Sequence, residues 1–323
     1  MSPMARADSP AAPQLPVYLL TGPTGTGKSD WAIHLAEVAP VEIVSVDSAL
    51  VYRGLDIGTA KPDRGLRARL PHHLIDVCDP SDSYSAGRFV TDAMAAIASV
   101  HARRRIPLLV GGTMLYLRAL LSGLAPLPQA SAELRREIDE RAALLGWPAL
   151  HGELARLDPE AAARINPNDS QRIQRALEVC LTTGRRLSEL QRATVSPLAG
   201  MPLKAWALAP RDRPMLHQRL ASRFHAMMAA GFLDEVRALH RRGDLTARHS
   251  SMRAVGYRQL WAYLEGECGL DEAVEKGIAA TRQLAKRQLT WMRAETAWRW
   301  VDPQADELSW NRDVRHELLQ LGL

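Results

Sequence analysis

The chain is poor in cysteine and in long apolar stretches, and each shortage excludes a class of protein. Its 323 residues include 3 cysteines, at Cys78, Cys180 and Cys268, without a Cys-x-x-Cys pair, which argues against a disulfide scaffold or zinc module and indicates a reducing compartment. No stretch approaches the roughly 18 apolar residues that span a membrane, and the segment before Pro16 lacks the apolar core of a secretory signal. We therefore expect a cytoplasmic protein with a disordered leader over residues 1–16 and no membrane partner.

Charge is present in both signs and nearly balanced. The 41 Lys and Arg exceed the 36 Asp and Glu by 5, an excess that permits a polyanionic partner without demanding one. Lysine itself is scarce, so the many arginines fit phosphate recognition and genome composition equally well. The hydrophobic content of 46% is enough for one large or two ordinary globular domains.

The apolar pattern in the first part of the chain alternates between strand and helix. Short apolar runs predict strands at 17–20, 42–46, 74–77 and 106–110, and longer periodic segments predict helices at about 85–103 and 113–122. This alternation predicts an α/β fold with a parallel sheet flanked by helices.

After residue 130 the pattern changes to one helix after another. We predict an all-helical insertion over 130–200, with the α/β core formed by 17–129 and 201–323. A strand at about 203–208 returns the chain to the sheet, and helices follow over 214–300.

A phosphate-binding sequence stands between the first predicted strand and the first predicted helix. The residues match G-x-x-x-x-G-K-[ST] and are Gly22, Pro23, Thr24, Gly25, Thr26, Gly27, Lys28 and Ser29. Such a loop turns successive backbone N–H groups toward an anion, while the lysine adds a positive charge and the Ser29 hydroxyl suits a phosphate-bound Mg²⁺. The motif indicates a di- or triphosphate ligand and does not distinguish among them.

Asp47 follows the second predicted strand, at the end of the sheet where parallel α/β proteins bind ligands. Its spacing fits three roles equally: a cap of the next turn, a Mg²⁺ ligand or a general base. The polar segment 52–62 is as compatible with a surface loop as with a functional one. Adjacent His72 and His73 point to opposite faces of a strand, so we do not expect them to form a metal site.

Seven sequence blocks, in order along the chain, resemble the bacterial tRNA dimethylallyltransferase family. They are the loop Gly22–Ser29, Ser45-Val46-Asp47-Ser48, the segment 52–62, Gly111-Gly112-Thr113-Met114-Leu115-Tyr116, Asn168-Asp169-x-Gln171-Arg172, Val255-Gly256-Tyr257-Arg258 and 282–288. The resemblance covers about 17–300. Gly25, Thr26 and Ser29 differ from the residues of many relatives but keep the flexibility and the hydroxyl of the loop.

The resemblance implies transfer of a dimethylallyl group from dimethylallyl diphosphate to N6 of the adenosine just 3′ of a tRNA anticodon. It implies that the loop around Lys28 and the side chain of Arg282 bind the diphosphate, with Mg²⁺ stabilising the leaving group. Asp47 corresponds to the general base and Thr113 to a catalytic position beside the substrate base. We also expect a monomer that extrudes the adenine toward Asp47.

Several segments correspond to the tRNA-contacting positions of that family. They are Asp47, Ser48, Ala49 and Leu50; Arg135; Gln171, Arg172, Ile173, Gln174 and Arg175; Arg253, Ala254, Val255, Gly256, Tyr257 and Arg258; and Lys286, Arg287, Gln288, Leu289, Thr290, Trp291, Met292 and Arg293. Helical spacing also places Arg282, Lys286 and Arg293 on one cationic stripe. Without the resemblance, these arginines would read as ordinary solvated side chains.

Two other functions share parts of the pattern. A P-loop small-molecule kinase would use the same loop, a strand-end aspartate and mobile arginines. A nucleic-acid-dependent ATPase would need an apolar strand that ends in Asp-Glu, which the sequence lacks. The kinase is therefore the main alternative.

Overall fold

The computed structural model describes residues 15–320, apart from 126, 129–130, 193, 211 and 296–297. The expected leader over 1–16 therefore lies almost wholly outside the described residues. The chain forms two compact units, one comprising the described residues up to Arg118 and from Gly200 onward, the other Ala119–Ala199.

Six parallel strands make one sheet in the described residues. In chain order they are β1 Val17–Thr21, β2 Val41–Val46, β3 His72–His73, β4 Ile106–Gly111, β5 Leu203–Leu208 and β6 Arg299–Val301. Their spatial order is β3-β2-β4-β1-β5-β6, and every neighbouring pair is parallel. The predicted α/β class with a parallel, helix-flanked sheet is confirmed.

The central strands are apolar because helices cover both faces of a parallel sheet. All residues of β1, β2 and β4 are buried. On one side, Tyr18 and Trp206 pack with Trp31 and Trp310 in a single apolar cluster. These contacts fix the strand ends from which the site residues project.

The helices of this unit flank the sheet or follow it. They are α1 Lys28–Val38, α2 Arg64–Arg69, α3 Ala86–Ala102, α4 Met114–Ser122, which continues into the second unit, α10 Arg213–Ala229, α11 Phe232–His240, α12 Tyr257–Leu264, α13 Leu270–Arg293 and α14 Glu307–Gln320. The Ser85 side chain caps α3 by accepting a hydrogen bond from the Arg88 N–H, and the Asp212 side chain caps α10 by accepting one from the Met215 N–H. None of the described helices is long and apolar enough to cross a membrane.

The second unit contains helices joined by loops, and no strand, in its described residues. Its helices are α5 Ala132–Leu145, α6 Trp147–Leu157, α7 Pro159–Arg164, α8 Ser170–Thr183 and α9 Leu187–Arg192. The apolar face of α8 is buried among α5, α6 and α7 residues, and Asp169 caps α8 through the N–H of Arg172. The apolar Leu181 of the same helix is exposed.

The strand predicted at 74–77 is wrong. Pairing with β2 stops at His73, because Leu74 and Asp76 have positive φ angles of 64° and 58° that an extended strand cannot accommodate. The sequence pattern also missed β6, whose three residues are too short for a periodic signal.

Candidate active site

Three strand ends bring the predicted catalytic residues together. The phosphate loop follows β1, Asp47 follows β2 and Thr113 follows β4, and these strands are neighbours in the sheet. The Thr113 hydroxyl accepts a hydrogen bond from the Ser48 N–H at 3.0 Å, and the Thr113 N–H donates to the Val46 carbonyl at 3.3 Å. Thr113 is thereby held directly beside the segment that carries Asp47.

Glycines allow these loops to approach each other. A Cβ atom on Gly111 would lie 2.1 Å from the Val46 carbonyl oxygen, and one on Gly112 would lie 2.8 Å from the Gly22 oxygen. Any side chain at either position would push the loops after β1, β2 and β4 apart. The Gly-Gly pair before Thr113 is therefore a requirement of the close approach.

The phosphate loop has the compact shape that its sequence predicts. Gly25 and Gly27 take φ angles of 80° and 86°, in the region that favours glycine. Two side chains of the loop donate to the Pro23 carbonyl: the Thr26 hydroxyl at 2.9 Å and the Lys28 ammonium at 2.8 Å. Lys28 thus lies against its own loop, within reach of an anion bound there.

A second cation, Arg223 of α10, shares the electrostatic environment of this loop. Burial, against the opposing charge of Asp47 and with a smaller effect of the Arg223 charge, lowers the pKa of Lys28 to about 8. Burial likewise lowers the pKa of Arg223, against the charges of Asp30 and Asp47. One turn earlier on α10, Arg219 donates to the Gly25 carbonyl at 3.4 Å. Such an arrangement favours binding of an anion.

Arg219 and Arg223 were not predicted from the sequence. They belong to no motif, and the only signal available was two arginines spaced by four on a helix that follows the returning strand β5. That spacing is equally common on solvated helix faces.

Asp47 is oriented by its own turn. Its Oδ1 accepts from the N–H of Ala49 at 2.8 Å and from that of Leu50 at 3.3 Å. The capping role that the spacing allowed is therefore real, but it uses one carboxylate oxygen. The described residues contain no group of three or more His, Cys, Asp or Glu that could hold a metal ion.

A cavity of about 400 Å³ lies where these residues meet. Its lining combines the strand-end residues with residues from α10, from α13 and from the segment before α12, among them Thr24, Asp47, Ser48, Ala49, Thr113, Arg223, Phe224, Arg253, Ala254, Val255, Tyr257 and Gln288. The predicted segment 253–258 thus contributes to this cavity, with Arg253 and Arg258 exposed and Gly256 and Tyr257 buried.

A half-buried carboxylate that no sequence motif marks holds two residues of the cavity lining, Gly58 and Tyr257. Four donors converge on Glu235 of α11 at 2.5 to 3.2 Å, namely the N–H groups of Asp56, Ile57 and Gly58 and the hydroxyl of Tyr257. Gly58 lines the cavity, and a Cβ atom there would lie 2.1 Å from the Phe232 ring. The polar segment 52–62 is therefore a fixed part of the site.

Arg282 is not among the residues that line this cavity. It borders a different cavity of about 450 Å³ together with Arg213, Lys286 and Arg293. Its Nε atom is buried and has no hydrogen-bond partner among the described residues. Its contact with the diphosphate stays a prediction.

The predicted tRNA-contacting run on α13 divides by exposure. Lys286, Arg287, Thr290 and Arg293 are exposed and Trp291 is half-buried, whereas Gln288, Leu289 and Met292 are buried. Leu289 and Met292 lie on the buried face of α13, whereas the buried Gln288 lines the cavity. Contact of this run with tRNA stays a prediction.

In the second unit the predicted residues also separate into two groups. Arg135 and Arg175 pair with the buried Glu178, and Gln174 donates to Asp139 at 2.7 Å. Gln171 and Arg172 are exposed, while the Ile173 side chain lies in the apolar cluster of the unit. Ile173 therefore supports α8 from inside, and contact of the exposed Gln171 and Arg172 with tRNA stays a prediction.

Two family profiles match the chain. One, described as IPP transferase, covers residues 50–295, and another, described as isopentenyl transferase, covers residues 15–68. The chain is 58% identical over 300 residues to a tRNA dimethylallyltransferase of Methylococcus capsulatus, covering 93% of this chain and 96% of the relative. It is 59% identical over 286 residues to that of Alkalilimnicola ehrlichii, covering 88% and 90%.

Solved structures agree with these sequence matches. The full-length tRNA isopentenylpyrophosphate transferase of Bacillus halodurans is 34% identical with a TM-score of 0.68, covering 95% of this chain and 98% of that one. A eukaryotic dimethylallyltransferase, described as acting on tRNA, is 29% identical with a TM-score of 0.75, covering 89% and 73%.

Proposed function

Because this chain belongs to the tRNA dimethylallyltransferase family, we propose that it transfers a dimethylallyl group from dimethylallyl diphosphate to N6 of the adenosine just 3′ of the tRNA anticodon. The observation that carries the proposal is the convergence of Thr24 of the phosphate loop, Asp47 and Thr113 on one cavity. The kinase alternative shares the loop, but relatives of more than half identity are transferases of this family, so it is not favoured.

In this proposal the loop Gly22–Ser29 binds the diphosphate of the donor. Its backbone N–H groups stand at the N-terminus of α1, where anions are favoured, and Lys28 and Arg223 add positive charge beside it. When the bond from the dimethylallyl carbon to oxygen breaks, the electron pair stays on the diphosphate. These cations stabilise that growing negative charge.

The described residues fit a Mg²⁺ that the diphosphate carries in. Ser29 presents an exposed hydroxyl in the first turn of α1, while no acidic cluster forms a complete cage in the described part of the chain. Mg²⁺ typically keeps several waters and binds through substrate phosphates and one or two protein oxygens. Bound there, it would supply further charge stabilisation to the leaving group.

Asp47 acts as the general base in the proposed reaction. As the N6 nitrogen bonds to the dimethylallyl carbon, one N6 proton passes to the Asp47 carboxylate. The hydrogen bonds from Ala49 and Leu50 hold Oδ1 in place, so the other oxygen, Oδ2, is oriented for that proton. Thr113, held against Ser48, positions the adenine beside the carboxylate.

An adenine stacked in an anticodon loop cannot reach Asp47, so the proposal includes extrusion of the base into the cavity. Arg253 and Arg258 are exposed on the segment that contributes to its lining, and Lys286, Arg287 and Arg293 are exposed on α13. These side chains, with Arg172 of the second unit, are suited to backbone phosphates of tRNA. We further propose that the protein acts as a monomer in the cytoplasm.

Incubation of the protein with unmodified tRNA, dimethylallyl diphosphate and Mg²⁺ tests the proposal. Nucleoside mass spectrometry should find one adenosine per tRNA in which a dimethylallyl group replaces one hydrogen. A separate assay should find diphosphate released in equal amount. Parallel samples with ATP in place of the donor measure phosphoryl transfer. Unmodified tRNA together with ATP-dependent phosphorylation of a small molecule would overturn the proposal in favour of the kinase.

A further inference from the structure

Gln288 of α13 joins two loops of the active site through its side-chain amide. The side chain is 7% exposed, and both ends of the amide are used: Oε1 accepts from the Thr24 N–H at 2.9 Å, and Nε2 donates to the Gly112 carbonyl at 2.8 Å. These two backbone groups lie in the loop after β1 and in the loop after β4. One buried side chain therefore bridges the phosphate loop and the segment that carries Thr113.

The bridge crosses the point where the two loops come closest. A Cβ atom on Gly112 would lie 2.6 Å from the Gln288 Nε2 atom and 2.8 Å from the Gly22 oxygen. The amide thus fills a space that any side chain at residue 112 would need. A buried amide with both functions paired has one favoured orientation, because rotating it would set donor against donor and acceptor against acceptor.

The same bridge reaches Asp47 through one further contact. Thr113 follows Gly112 and accepts from the Ser48 N–H, and Ser48 is adjacent to Asp47. A chain of short contacts therefore runs from the phosphate loop through Gln288 and Thr113 to the predicted base. The length of this chain of contacts sets the distance between the bound diphosphate and the Asp47 carboxylate, which receives the N6 proton.

We propose that Gln288 is a positioning residue that fixes the separation between the diphosphate loop and Asp47. The inference rests on the proposed function. It adds a role to the sequence-based expectation that Gln288 contacts tRNA, because the amide holds two loops of the protein whether or not the substrate base also touches it in the cavity. Misplacement of reacting groups by about 1 Å can lower a rate on the order of 100-fold.

Gln288→Met is the direct test, because methionine has similar length and cannot bridge the two backbone groups. Gln283→Met is the matched control on an exposed position of the same helix. For both variants we would measure kcat at saturating substrates, KM for each substrate, the dissociation constant for tRNA by filter binding, and thermal unfolding by circular dichroism.

We expect Gln288→Met to lower kcat by roughly 10- to 100-fold with tRNA affinity within about twofold of the parent, and Gln283→Met to change neither. Lost tRNA affinity with an unchanged kcat at saturation would overturn the proposal, as would an unchanged kcat and affinity together. If Gln288→Met is unfolded at the assay temperature, Gln288→Glu serves instead: it keeps the acceptor for Thr24 but sets a charged carboxylate oxygen against the Gly112 carbonyl. A normal kcat in that variant would also overturn the proposal. A parent protein that modifies no tRNA would overturn the proposed function and this inference with it, whereas an active parent with an equally active Gln288→Met variant would overturn this inference alone.

Discussion

Replacing Glu235 by alanine should destabilise the protein and loosen one wall of the cavity. The substitution removes the acceptor for three backbone N–H groups and for the Tyr257 hydroxyl. A hydrogen bond to a charged acceptor contributes about 1.5 to 3 kcal/mol, and a buried donor left unpaired costs about 1 to 3 kcal/mol. Because the Asp56 N–H is exposed and can turn to water, we expect a net loss of about 3 to 5 kcal/mol.

Urea denaturation at neutral pH measures this loss as a change in the free energy of unfolding. The matched control is Asp234→Ala, which removes an exposed carboxylate from the same first turn of α11 and from an ion pair with Arg237. Both variants lose the same favourable charge at the helix N-terminus, so the difference between them isolates the contacts of Glu235. We expect the control to lose less than about 1 kcal/mol. Equal losses in the two variants would refute the reasoning.

Three further predictions concern the proposed base, the tRNA surface and acid stability. Asp47→Asn should lower kcat by roughly 10²- to 10⁴-fold with little change in tRNA affinity, and a main loss of diphosphate affinity in steady-state kinetics would make it a metal or donor ligand instead. Arg172→Gln and Lys286→Gln should each reduce the slope of log affinity against log salt by about one; an unchanged slope in filter binding would remove that residue from the tRNA surface. Burial would raise the pKa of Glu42, but hydrogen bonds from Arg103 and a neighbouring histidine outweigh it and lower the pKa. The stability that Glu42 contributes is thus present above its unfolded pKa and lost as the pH falls through its folded pKa. The urea midpoint of Glu42→Gln should therefore lie below that of the parent at neutral pH, and the two midpoints should converge in acid. A difference in midpoint that stays constant with pH would contradict the assignment.

The parts of the fold that could be predicted from sequence are those with a continuous local signal. Strands β1, β2, β4 and β5 are apolar runs with turn-forming or polar residues at their ends. Each was predicted within about one residue of its observed limits. The failure at 74–77 has the opposite cause. The positive φ angles of Leu74 and Asp76 are imposed by contacts with distant segments, such as the hydrogen bond of Asp76 N–H to the Leu50 carbonyl, and a local pattern does not contain them.

The candidate site shows the same division between local and distant information. The phosphate loop, Asp47 and Thr113 could be found because a motif or a strand end marks each of them in the sequence. Arg223, Glu235 and the bridging role of Gln288 depend on which helices pack over the strand ends, and those contacts join residues 170 or more positions apart in the chain. Charge and spacing alone do not distinguish such residues from ordinary helix-surface residues.

On the proposed function, the geometry of the phosphate loop means that the donor binds with little rearrangement of the protein. The backbone is already fixed by the glycine conformations at Gly25 and Gly27 and by the bond from Thr24 to Gln288. The Lys28 ammonium donates to the Pro23 carbonyl, a weaker acceptor than a diphosphate oxygen. Since burial disfavours the charge of Lys28, an anion bound beside it would offset that desolvation cost. A turn of one side chain therefore exchanges a neutral contact for a charged one, and most of the binding energy remains for holding the donor in its reactive position.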